Sequence, residues 1–226
     1  MNLSILRDLE QAGGMAAVAA VVLTVVWLAT MVRTPPPEGE ASERLAFYAG
    51  RPDLLRVHFL PAMFIAVAYV PIWLGLAASI APSHGLLASL TLAFGLLYVP
   101  FALIGYSLQF TAVRGVLESI SGDEDRWLPV WRVLSFSNAP ESATGWLVVL
   151  GYAIWGIGAA FAAAALVDGS GGLEVATGIA LAVTALLTWL GAIGVVGRNP
   201  RLKWAVLVSG VTSAVATGLI AALLLG

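Results

Sequence analysis

His58 and His84 are the two imidazoles of this 226-residue chain, which has no cysteine. The missing thiols exclude disulfide frameworks, thiolate zinc sites, iron–sulfur clusters and thiol redox chemistry. A haem held between helices needs an axial ligand from each side at matched depth. Here helix rise separates the two histidines by about 35–40 Å, so one chain cannot supply both ligands. Each is read as a polar residue at a membrane face. Asp123-x-Asp125 has the spacing of a metal–diphosphate site but lacks further acids at comparable depth, so it reads as a solvated acidic turn. Gly169-Ser170-Gly171-Gly172 is too short for a phosphate cradle and reads as a hairpin turn. There is no His-Glu-x-x-His, no pair of intramembrane aspartates, and no serine with a histidine at matching depth. No catalytic residue, metal ligand or cofactor is assigned, and enzymatic activity is not expected.

What remains is aromatic. Counting 1.5 Å per residue from the loop ends puts Tyr69 and Tyr98 at about 18 Å depth and Trp155 at about 15 Å. Trp73 lies one turn beyond Tyr69, and Tyr106 and Gln109 lie nearer the end of the same run as Tyr98. Pro61, Pro71 and Pro100 favour kinks that bow the helices apart. Tyr69, Trp73, Tyr98, Tyr106, Gln109 and Trp155 are therefore candidate contacts for a small apolar or aromatic molecule, against the plainer reading of bundle packing with each hydroxyl satisfied.

The elements that must position these side chains follow from composition. The chain is 60% hydrophobic and 11% charged, against roughly 25% charged for a soluble domain. Six runs of 19 to 28 residues are long enough to cross about 30 Å of hydrocarbon: Gly14–Val32, Val57–Ile80, Leu86–Val113, Gly145–Val167, Leu173–Val196 and Leu202–Leu225. Backbone groups cannot stay unpaired in lipid, and barrel strands would alternate in ten-residue segments, so the runs are helices. The fold class is all-α: a single polytopic bundle of six transmembrane spans, with the lipid bilayer as its first partner. The first run is too long and too acid-flanked for a signal peptide, and Leu3–Leu9 offers a short interfacial helix before it. No span carries a charge near its centre, which argues against carboxylate-coupled transport and against a retinal protein.

Charge also sets the threading. Ten of the 11 basic residues fall in or beside the first, third and fifth connections (Arg33, Arg44, Arg51, Arg56, Arg114, Arg126, Arg132, Arg198, Arg201 and Lys203), leaving Arg7 on the other side. The positive-inside rule then places loops 33–56, 114–144 and 197–201 in the cytoplasm and both termini outside, as in a multi-pass protein of a bacterial inner membrane. The alanine- and glycine-rich, lysine-poor composition fits a high-GC bacterial genome. A net charge of −2 gives no basis for nucleic-acid binding. Ser42–Gly50 has the makings of a helical turn. In the third connection Trp127, Trp131 and Leu134 share one helical face. With arginines beside them, and Pro129 suited to a first turn, residues 127–136 predict an interfacial helix anchored in the headgroups by Trp127 and Trp131.

Gly210, Ala214, Gly218 and Ala222 repeat every four residues along the last span, a stripe that lets helices approach closely, read first as internal packing and second as an oligomer interface. Gly151, Gly158 and Ala162 can serve the fourth span in the same way. Thr177, Thr184 and Thr188 of the fifth fall on one face and bond back to their own helix.

The layout is similar to an uncharacterised family of small bacterial six-helix integral membrane proteins, a domain of unknown function. The resemblance rests on a first span, a polar loop ending in Asp53-Leu54-Leu55-Arg56, the Leu60–Leu76 and Leu90–Leu108 pair, and Pro200-Arg201-Leu202 leading into Gly210-Val211. It implies a membrane location and brings no catalytic residues with it. Two functions stay open: association, as an accessory subunit of a membrane complex or a homo-oligomer, and binding or transport of a small apolar or aromatic molecule between the second, third and fourth spans.

Overall fold

A computed structural model describes residues 3–37, 39–120, 124–137 and 141–226 and is 86% helical, with no strand among the described residues. The helices are α1 (Leu3–Arg33), α2 (Ala41–Ala49), α3 (Leu54–Ile80), α4 (Gly85–Phe110), α5 (Ala112–Ser119), α6 (Glu124–Leu134), α7 (Ala143–Leu166), α8 (Gly172–Val196) and α9 (Pro200–Leu225). Six helical segments are long and apolar enough to cross a membrane, with α5 continuing the α4 segment; this is the architecture of a multi-pass membrane protein.

The spans stand where the apolar runs predict them, and the differences lie at their ends. No separate interfacial helix precedes the first span. Leu3–Arg33 is one helix of 31 residues, about 46 Å long, because Glu10-Gln11-Ala12 are good helix formers and nothing breaks the chain before Gly13. The third span stops at Phe110, short of Val113, where Thr111 (φ −111°, ψ −86°) leaves helical geometry and turns the chain into α5. The helix expected over 127–136 instead covers Glu124–Leu134. Acids in its first turn suit the positive end of a helix dipole, and Pro129 is its sixth residue, not a first-turn residue. Asp123 lies outside the described residues.

Chain direction puts α2, α5, α6 and the ends bearing the arginine-rich connections together at one end, called here the loop end. The short connections 81–84 and 167–171 lie at the other, the turn end. At the loop end α8 closes in a tight cap: the Asn199 N–H donates back to the Gly194 carbonyl (2.8 Å), with Arg198 at φ 52° in the left-handed region that favours glycine. The Asn199 side chain then accepts from the Arg201 N–H (3.0 Å) and starts α9, with Pro200 in its first turn.

Neighbouring spans pack in chain order, α1 on α3, α3 on α4, α4 on α7, α7 on α8 and α8 on α9, and α9 returns to α1, closing a ring. Glycines set several of these spacings. A Cβ on Gly13 of α1 would stand 2.8 Å from the Pro71 carbonyl oxygen and 2.9 Å from the Gly75 Cα of α3. A Cβ on Gly158 of α7 would stand 2.9 Å from the Gly95 nitrogen of α4. Both are below ordinary contact, so these helices meet backbone to backbone and gain dispersion contacts that side chains would hold apart.

The stripe on α9 does not take part. Ala216, Thr217, Ile220, Ala221 and Leu224 face the bundle, whereas Gly210 and Ala222 are exposed and Ala214 and Gly218 half-buried. A Cβ at Gly210 or Gly218 would meet nothing within 4 Å. Internal packing, the first reading of that stripe, is therefore corrected. The ring needs volume from α9, and Ile220 and Leu224 supply it.

Candidate functional site

Two clusters of side chains carry what chemistry the fold offers. One fills the middle of the ring. Besides its ring neighbours, α3 reaches across to α7 and α9, so its side chains at mid-length occupy the centre. Tyr69, Trp73, Tyr98 and Trp155, predicted from depth alone to share a level, converge there. Ring centroids are 5.8 Å apart for Tyr69–Tyr98, 5.9 Å for Tyr69–Trp155, 5.7 Å for Trp73–Trp155 and 6.2 Å for Tyr69–Trp73. Three of these four pairs meet edge to face, the arrangement the ring quadrupole prefers. All four residues are buried.

The Tyr69 hydroxyl crosses the ring to α9, 3.0 Å from Ser213 Oγ and 2.9 Å from Thr217 Oγ1. The Thr217 hydroxyl donates to the Ser213 carbonyl (2.8 Å). Thr217 Oγ1 therefore accepts from Tyr69, and Tyr69 accepts from Ser213. A buried hydroxyl with donor and acceptor roles both filled adds about 1 kcal/mol per bond and ties α3 to α9. Nothing in the α9 sequence marks Ser213 and Thr217 as partners of a tyrosine 144 and 148 residues away.

Tyr106 and Gln109 do not join this group. The Tyr106 hydroxyl lies 3.0 Å from that of Tyr152, a residue the depth count passed over, and its ring stacks on Phe59 at 6.5 Å. Gln109 is 1% exposed. It accepts from the Phe136 N–H (2.8 Å) and donates to the Leu134 carbonyl (3.1 Å). It thus holds the exit of α6 onto α4, and Thr144 donates to the same Leu134 carbonyl. This amide serves the chain's own backbone and corrects its assignment as a ligand contact.

The second cluster lies at the loop end around His58. Expected as a polar residue at the membrane interface, His58 is instead fully buried, because α2 and α6 close over the first turns of α3. Tyr48 Oη of α2 lies 3.0 Å from His58 Nδ1, and Thr34 Oγ1, just past α1, lies 2.8 Å from Nε2. The Trp27 indole N–H donates to the His58 carbonyl (2.8 Å). Trp131 of α6 packs on Tyr48 with centroids 5.9 Å apart and is 1% exposed. It is therefore a plug over α2, not a headgroup anchor. Trp127 stays half-buried with the Arg126 guanidinium 5.7 Å from its ring, so of the two expected anchors only Trp127 keeps access to the surface. Burial pushes the Tyr48 phenol above its ordinary value, with Arg44 partly offsetting the shift. A signal for this cluster was present in sequence: Ala41, Leu45 and Tyr48 are the buried face of α2 at spacings of four and three.

Comparison with family models, curated proteins and solved structures gives no match.

Two concavities complete the surface. An apolar groove of about 740 Å³ runs between α7 and α8, lined by Trp146, Leu147, Leu150, Ala153, Ala192 and Val196, with Glu141 at its mouth. A polar recess of about 220 Å³ at the turn end is lined by Ser79, Ser83, His84, Asp168, Ser170 and Glu174, among others. The central aromatic residues line neither. The recess places His84 at the opposite end of the bundle from His58.

Proposed function

We propose that this chain is a bacterial inner-membrane protein that acts by association, as a homo-oligomer or as an accessory subunit of a larger membrane complex, and not through chemistry in its interior. The observation that carries the reading is the filled centre. Where a ligand would sit, four aromatic rings pack on one another and the one hydroxyl that crosses the ring is fully bonded inside the chain. The small-residue stripe of α9 supports it, since a Cβ at Gly210 or Gly218 meets nothing of its own chain within 4 Å.

Native mass spectrometry of protein released gently from its own membrane tests this reading. A dimer or a defined complex is expected, reduced to monomer by Gly210→Leu with Gly218→Leu, which meet only open space within the chain. A wild-type monomer without partner, or a complex indifferent to both substitutions, would sink it.

Within this proposal the loop end faces the cytoplasm, because it gathers ten of the 11 basic residues. The chain has no cysteine, so Gly171→Cys at the turn end gives a single reporter. Labelling by an impermeant maleimide on intact cells is expected, and labelling only after permeabilisation would reverse the orientation.

A further inference from the structure

The hydrogen bonds around His58 can all be met by a neutral ring. The Thr34 hydroxyl donates to the Thr30 carbonyl (2.9 Å), so toward His58 it can only accept, and Nε2 carries a proton. Nδ1 of the neutral ring is then an acceptor, and Tyr48 donates to it. Every proton in the chain Tyr48, His58, Thr34, Thr30 has one place to go.

A second proton on the ring breaks that order. Nδ1–H must donate, Tyr48 must become the acceptor, and the phenol proton needs a new partner. The aromatic rings packed on Tyr48 are those of Phe47, His58 and Trp131, and Arg44 lies one turn earlier. Their remaining polar atoms, the Arg44 and Trp131 N–H groups, donate only, and Arg44 Nε and Trp131 Nε1 already lack acceptors. The described charged residues on the packed elements include the half-buried Arg44 on α2, the exposed cations Arg33 beside Thr34, Arg56 on α3 and Arg132 beside Trp131, and the exposed acids Glu43 on α2 and Asp125 on α6. Among the described acids nearest in sequence, Asp53 and Glu118 pair with Arg114, and Glu43 is exposed. No described carboxylate offsets an imidazolium here.

The strap that would yield is α2. Its backbone lies closest to the short helices α5 and α6, and the Tyr48–His58 bond ties it to α3. We propose that this bond is a pH-dependent latch: neutral His58 holds α2 against the loop end, and protonation of His58 releases it. The neutral ring keeps the bond and the doubly protonated ring cannot, so closure holds at higher pH and is lost as pH falls.

A spin label on the single cysteine of Ala46→Cys, exposed on α2, reads the latch in the full chain in lipid nanodiscs. Its mobile fraction is expected to rise about two-fold or more between about pH 8 and pH 5, while a label at Ser170→Cys, at the turn end, stays unchanged. Adding His58→Gln should abolish the response. Adding Tyr48→Phe should leave the label mobile at both pH values. Equal mobility of the Ala46→Cys label across that range would overturn the latch, as would an unchanged response in either His58→Gln or Tyr48→Phe. The Tyr48→Phe arm stands by itself if His58→Gln does not fold.

Discussion

Leucine at Gly158 is expected to destabilise the bundle by about 3 kcal/mol or more, lowering the melting temperature in detergent by roughly 6–12 °C for a chain of this size. Its Cβ alone would stand 2.9 Å from the Gly95 nitrogen, 3.2 Å from the Thr91 carbonyl oxygen and 3.3 Å from the Gly95 Cα. All three are backbone atoms of α4. No rotamer change relieves the overlap, and α4 and α7 must separate along their shared seam. That seam also seats Trp73, whose ring lies where a Gly95 Cβ would be, within 2.4 Å, so the separation disturbs the centre. Alanine at Gly158 meets the same backbone with less bulk and is expected to cost about 1–2 kcal/mol. Leucine at Gly210, where a Cβ meets nothing within 4 Å, is the matched control and should leave the monomer's melting temperature within roughly 1–2 °C. A Gly158→Leu protein as stable as that control would show that α4 and α7 tolerate separation.

The same contrast explains what the sequence could and could not tell. Span number, the limits of every span but the first to within a few residues and the all-helical class were legible, because a charge-free apolar run of 20 residues has one stable solution in lipid. Which glycines matter was legible only in part: Gly158, read as a close-approach residue of the fourth span, does meet the α4 backbone, whereas the α9 stripe misled. The α9 stripe repeats perfectly every four residues and faces outward, whereas Gly13 and Gly95 sit in no such repeat and matter because Gly75 and Gly158 face them. Close approach belongs to pairs on different helices, and one helix's periodicity is silent about its partner.

The site divides in the same way. Depth counting brought Tyr69, Trp73, Tyr98 and Trp155 together correctly, since helix rise is nearly constant and the spans begin at readable places. It said nothing of rotation about the helix axis, which decides that Tyr106 pairs with Tyr152 and that Gln109 turns to the α6 exit. His58 was misplaced for another reason. A polar residue four positions inside α3 should face headgroups, unless the connecting segment folds back over it. The buried face of α2 does so, in a connection where Ser42–Gly50 was read as a helical turn but its apolar face was given no partner.

Trp73→Ala is the expected result that separates a packed centre from a binding site. Trp73 is fully buried between Tyr69, Trp155 and the Gly95 backbone, and its indole nitrogen has no hydrogen-bond partner. Its removal therefore strands no polar group, and the whole effect is lost packing. Truncating a buried tryptophan to alanine costs about 3–5 kcal/mol, with each 100 Å³ of unrelaxed void adding about 2.4 kcal/mol. The void is lined by the Tyr69 and Trp155 rings and the Gly95 backbone, and a dry apolar cavity takes up a matching hydrocarbon. Indole in the buffer should then restore a large part of the lost melting temperature to Trp73→Ala and do nothing to wild type, whose own tryptophan fills the space. Stabilisation of the wild-type protein by indole would mean that the four rings part to admit a guest, and would turn the reading from association to binding of a small aromatic molecule. A loss under about 1 kcal/mol on Trp73→Ala would show that the ring of helices collapses onto its centre without that side chain.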